Sequence, residues 1–215
     1  MLSQIVDIFL HLDTYLAQLS ASYGVLVYLI LFLIIFAETG LIVTPFLPGD
    51  SLLFAAGALA SIESSGLNIW LMWGLLISAA FLGDNTNYHV GRTLGARLFI
   101  RENSLFLNPK YLTRTQEFYR EHGAKTVLFA RFMPILRTFA PFVAGMGKMN
   151  YRKFIVFSFV GSVAWMSCFL GAGFYFGNLP SVKNNFHLVI FTVIGVSFLP
   201  VLVSALRGFF RDFSR

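Results

Sequence analysis

Thr44-Pro-Phe-Leu-Pro-Gly-Asp50 decides how this chain folds, because it interrupts a hydrophobic stretch, 23–62, that is too long for one crossing of a bilayer. A helix needs about 20 apolar residues to span the hydrocarbon layer. Two prolines and a glycine break helical hydrogen bonding, and the freed backbone groups must be satisfied inside protein or a wet cavity. The stretch is therefore predicted to hold a first crossing followed by a re-entrant helical hairpin, entered from the outer side. Pro45, Pro48 and Gly49 are its break.

Composition supports a membrane setting. The 215 residues are 57% hydrophobic and only 12% charged, with a mean hydropathy of +0.73. A soluble domain carries about 25% charged residues. Apolar runs recur at 67–83, 152–177 and 187–206, too long and too frequent for the core helices of a soluble protein. The first 22 residues space Ile5, Ile8, Phe9, Leu12, Leu16 and Leu19 at helical intervals and read as an amphipathic surface helix. With no basic n-region and no small-residue cleavage site, they are not expected to be a removed signal peptide.

The net charge of +6 does not imply nucleic acid, because no Lys or Arg precedes Arg92. The basic residues gather in 84–123, in Lys148, Arg152 and Lys153, and in the tail 207–215. That is the positive-inside bias of cytoplasmic loops, and it places both termini in the cytoplasm. The segment 124–147 is apolar but carries Arg131, Pro134, Arg137, Pro141 and Gly145, with basic residues at both ends. A simple crossing would put one basic cluster outside, so a second re-entrant hairpin, entered from the cytoplasm, is expected. The predicted fold is thus a single all-α integral membrane domain of about four membrane-crossing helices and two facing re-entrant hairpins.

An internal echo supports the pairing of the hairpins. Phe36-Ala-Glu38 aligns without gaps on Phe129-Ala-Arg131, which also sets Ile42 over Ile135, Phe46 over Phe139 and Pro48 over Pro141. Two copies entering from opposite sides form an inverted repeat, the arrangement by which secondary transporters place a site near the midplane. The first copy carries Glu38 and Asp50, the second Arg131 and Arg137. A charge at the centre of a membrane helix costs about 2.5–3.5 kcal/mol, so these four should be paired or hydrated. An arginine can grip phosphate bidentately, and a carboxylate can load and release a proton. The bland alternative is that Glu38 with Arg131 or Arg137 only pins the hairpins together. Asp50 either caps a helix beginning at Ser51 or serves the site. Asp84, with Asn85 and Asn87, reads as a helix end at the cytoplasmic interface, with a secondary site role as the alternative.

Other chemistry is thin. His11, His89, His122 and His187 have no metal-ligand spacing, Cys168 is the only cysteine, and no catalytic nucleophile and base can be named. No metal, cofactor or enzymatic activity is expected. Gly171, Gly173 and Gly177 suit close helix packing and permit a homo-oligomer.

Phe36-Ala-Glu-Thr-Gly40 with Pro45-Phe-Leu-Pro-Gly-Asp-Ser51, and Phe129-Ala-Arg-Phe-Met-Pro134 with Arg137-Thr-Phe-Ala-Pro-Phe-Val-Ala-Gly145, resemble the paired signatures of the DedA family over nearly the whole chain. The resemblance implies two facing re-entrant hairpins, an inner-membrane location, dependence on the proton gradient and a role in envelope integrity. For some members it implies recycling of undecaprenyl phosphate. The family's acids correspond to Glu38 and Asp50 and its arginines to Arg131 and Arg137. The expected function is a proton-linked transporter that moves an anionic lipid between leaflets, with Arg131 and Arg137 holding phosphate and Glu38 and Asp50 coupling to protons. The rivals are a small-ion/proton antiporter and a non-transporting membrane scaffold.

Overall fold

The computed structural model describes residues 24–41, 49–98, 123, 125–183, 192 and 195. These are helical, with no strand among them. In order they form α1 (Leu26–Gly40), α2 (Gly49–Ala60), a short 3-10 turn (Glu63–Ser65), α3 (Ile69–Leu98), α4 (Lys125–Ala130), α5 (Pro134–Met146), α6 (Tyr151–Phe176) and α7 (Pro180–Lys183). The amphipathic start, the tip with Pro45 and Pro48, residues 99–122 of the basic region, the expected crossing at 187–206 apart from 192 and 195, and the tail lie outside the described residues.

Local chemistry fixes the helix ends. Asn68 Oδ1 accepts from the Trp70 and Leu71 amides and so caps α3. The Tyr28 hydroxyl accepts from the Asn68 amide at 2.6 Å, tying this start to α1. Asn150 Oδ1 caps α6 by accepting from Arg152 and Lys153. Pro134 opens α5, where its missing N–H costs nothing. Between α4 and α5, Arg131, Phe132 and Met133 turn through i to i−3 hydrogen bonds.

Small residues let the helices cross closely. A methyl group built on Gly57 would run into the backbone of Leu170, and one on Gly173 into that of Phe54, so α2 and α6 touch main chain to main chain. Gly91 and Gly145 do the same for α3 and α5 against Phe142 and Tyr88, and Gly40 meets Gly83 where α1 crosses α3. Where lipid tails are as apolar as leucine, such contact replaces the hydrophobic drive for association. Gly173 and Gly177 are thus spent on α2, whereas nothing approaches the Cβ direction of Gly171.

The packing exchanges partners between the two halves. α1 lies on α3 and α4 on α6, while α2 crosses over to α6 and α5 to α3. Every side chain of α2 is buried. The outward faces of α1 and α6 expose Leu26, Leu29, Leu33, Val156, Phe159 and Val160, a surface suited to hydrocarbon rather than water. Among the described residues, α6 alone is long and apolar enough to cross a membrane, and α1 and α2 are shorter apolar helices.

One boundary needs correction. Asp84 does not end a helix at an interface: α3 runs unbroken to Leu98, and Asp84 is 1% exposed in its middle. Asp84 and Asn87 in the polar run after Gly83 face other helices, so protein groups take the place of water at these two side chains, while Thr86 and His89 are exposed.

Candidate functional site

Five buried ionisable side chains meet where the broken helices face each other. Glu38 comes from the last turn of α1, Asp50 from the first turn of α2 and Asp84 from the middle of α3. Arg131 sits in the α4–α5 turn and Arg137 one turn into α5. None is more than 8% exposed.

Arg137 lies between two acids, Nη2 donating to Glu38 Oε1 and Nη1 to Asp50 Oδ1. This is one of the two arginine pairings the sequence leaves open for Glu38, extended to Asp50, which does more than cap a helix. Gly49 makes the approach possible, since any Cβ there would collide with the Glu38 carboxylate. Pro141, one turn after Arg137, cannot supply the N–H that the Arg137 carbonyl would normally accept. Gly145, placed with the hairpin breaks from sequence, instead packs α5 on α3.

Arg131 does not pair with Glu38. It takes Asp84 side-on, Nη2 to Oδ2 at 2.9 Å and Nη1 to Oδ1 at 3.4 Å, and Nη2 also donates to Ser162 Oγ at 2.7 Å. The Ser158 hydroxyl donates to Asp84 Oδ2 at 2.6 Å. Asp84 therefore belongs to the cluster rather than to a helix end.

Trp165 joins the two ion pairs. Its ring centroid is 4.9 Å from Arg137 Cζ and 5.5 Å from Arg131 Cζ, within cation–π range of both. Its indole N–H donates to Asp50 Oδ1 at 2.9 Å. Trp165, Ser158 and Ser162 were not singled out from sequence. Their spacing, i, i+4 and i+7 on one face of an apolar helix, was the signal.

The cluster has two chemical properties. Three carboxylates face two guanidiniums, so the fully ionised set carries one uncompensated negative charge. Buried polar atoms also remain without a side-chain or backbone partner among the described residues: Arg137 Nε, Ser51 Oγ and Asn87 Oδ1. A donor, a hydroxyl and an acceptor are thus available beside or near the ion pairs. Among the described residues no three His, Cys, Asp or Glu side chains are arranged so that they could hold a metal ion.

Comparison with known proteins places these residues in context. Residues 47–175 match the VTT domain. The chain is 52% identical to Protein DedA of Escherichia coli K12 over 94% of this chain and 93% of that protein. It is 42% identical to an uncharacterized membrane protein of Mycobacterium tuberculosis over 81% of this chain and 77% of that one. It is 32% identical to the inner membrane protein YqjA of Escherichia coli K12 over 72% and 70% of the two chains. No solved structure matches.

Proposed function

Since the chain belongs to the VTT-domain family, the DedA family of membrane proteins, we propose that it is a proton-linked transporter carrying an anionic lipid phosphate between leaflets. The observation behind this reading is Arg137 held between Glu38 and Asp50 while its Nε has no partner among the described residues. A phosphate that takes Nε together with an Nη must displace a carboxylate from the guanidinium, and a displaced carboxylate in an apolar setting needs a proton. Anion loading and proton uptake are then one exchange reaction at one arginine. The uncompensated negative charge favours one order within that exchange, proton first and phosphate second. Undecaprenyl phosphate and ordinary phospholipids both carry the required headgroup, and envelope integrity is the role such transport serves.

The topology that goes with this reading has about four crossings, two re-entrant hairpins related by an inverted repeat, and both termini in the cytoplasm of a bacterial inner membrane. The site would then open alternately to each side, as repeats rock about it. The membrane potential supplies about 2.3 kcal/mol per charge per 100 mV to drive the step. In a Cys168→Ser background, cysteines at Ser64 and Ser181 should label from outside and one at Ser104 only from inside; outside labelling of Ser104→Cys would overturn the tracing.

The deciding experiment is leaflet exchange of labelled undecaprenyl phosphate and of phospholipids in proteoliposomes, with and without a pH gradient, for wild type and Arg137→Ala. Exchange that needs both the arginine and the gradient is expected. Gradient-independent exchange would make the protein a scramblase. Cation-dependent proton flux without lipid movement would favour the antiporter, which the excess carboxylate also suits.

A further inference from the structure

Asn87 is fully buried on α3, one turn beyond Gly83, and the hydrogen bonds of its Nδ2 go to backbone. Its Nδ2 donates to the Thr39 carbonyl at 3.1 Å and to the Thr138 carbonyl at 2.6 Å. Thr39 directly follows Glu38, and Thr138 directly follows Arg137. The two carbonyls held by one nitrogen therefore belong to the two segments that the Arg137–Glu38 pair joins.

The chemistry fits the residue type. Thr39 lies in the last turn of α1, where helix carbonyls lack intrahelical donors. Only a side chain with two N–H donors on one atom can satisfy two carbonyls from a single point; a hydroxyl has one donor and an ionised carboxylate none. α1 and α5 each pack mainly on α3 rather than on each other. The position of Glu38 relative to Arg137 is thus set through α3, and Asn87 is the polar link between them.

The geometry points to Asn87 as a positioning residue that fixes the separation of the backbone segments carrying Glu38 and Arg137. Its functional consequence rests on the lipid-phosphate reading, because an exchange of carboxylate for phosphate on one guanidinium tolerates little misplacement. Leucine at this position keeps the volume and removes both donors. Aspartate keeps the shape and turns donors into acceptors.

The test uses the full chain in nanodiscs and proteoliposomes, in a Cys168→Ser background with spin labels at Leu33→Cys on α1 and Leu136→Cys on α5, both exposed. Wild type should give one narrow interspin distance. Asn87→Leu and Asn87→Asp should broaden it in the folded protein and slow lipid-phosphate exchange about tenfold or more. A residue that merely fills space would leave Asn87→Leu with the wild-type distance and rate, and that result overturns the proposal. If wild type moves no lipid phosphate while Asn87→Leu still broadens the distance, the tether stands and the transport reading falls. Should both variants fail to fold, solid-state NMR on wild type with 15N-amide Asn and 13C-carbonyl Thr decides: dipolar contact from Asn87 Nδ2 to both Thr39 and Thr138 supports the tether, and its absence refutes it.

Discussion

Removing Arg131 should destabilise the protein far more than removing Arg131 and Asp84 together. In Arg131→Met, Asp84 keeps one hydrogen bond, from Ser158, and its side chain is 2% exposed. Breaking a buried pair from one side costs about 3–5 kcal/mol, whereas replacing both partners by apolar side chains is often neutral. In Arg131→Met/Asp84→Leu the Ser162 hydroxyl loses its Arg131 donor but keeps the Ser158 carbonyl as its acceptor, and the Ser158 hydroxyl loses its acceptor altogether. That leaves about 1–2 kcal/mol. Each single variant is therefore expected to lose about 3–5 kcal/mol, and the double to fall short of their sum by at least about 3 kcal/mol. For a chain of this size 1 kcal/mol moves the unfolding temperature by about 2–4 °C, so each single variant should melt roughly 10 °C lower. Thermal unfolding in one detergent, run on all four proteins, reads this directly. Additive losses would refute the pair as a coupled unit. Leaflet exchange by the double variant then separates roles: retained exchange makes the pair structural, and lost exchange assigns Arg131 to the substrate.

Three further outcomes follow from other contacts. Gly173→Ala should lose about 1–3 kcal/mol from collision with the Phe54 backbone, while Gly171→Ala, open on that side, should be neutral or gain up to about 1 kcal/mol; equal melting of the two would contradict the α2–α6 crossing. Trp165→Phe keeps the aromatic face but removes the N–H to Asp50, and should cost about 1–2 kcal/mol in thermal unfolding; no change would mean that the indole hydrogen bond contributes nothing. Glu38→Gln keeps the shape of the side chain without its charge, so any exchange that survives in proteoliposomes should no longer respond to an imposed pH gradient; a wild-type response would remove Glu38 from proton coupling.

The charged residues of the two broken segments were legible because each stands alone in an apolar run, where an unpaired charge is too costly to be incidental. Glu38 and Arg137 could be matched as opposite charges on two halves of an echo. Asp84 was misplaced because it begins a polar run, and polarity in a linear sequence cannot separate an interface loop from a helix face turned toward other helices. Trp165 was missed for the complementary reason: inside an apolar helix an aromatic residue looks like bulk until its neighbours are known.

By itself the sequence determined the all-helical class, the membrane setting, the broken segments and the family, since these follow from hydropathy, from proline and glycine chemistry and from motifs read along one chain. Only the tertiary structure decided which acid meets which arginine, that α2 belongs with α6 and α5 with α3, and that Asn87 links the segments behind Glu38 and Arg137. Those choices depend on the angle and depth at which helices cross, and glycine contacts distant in sequence set both.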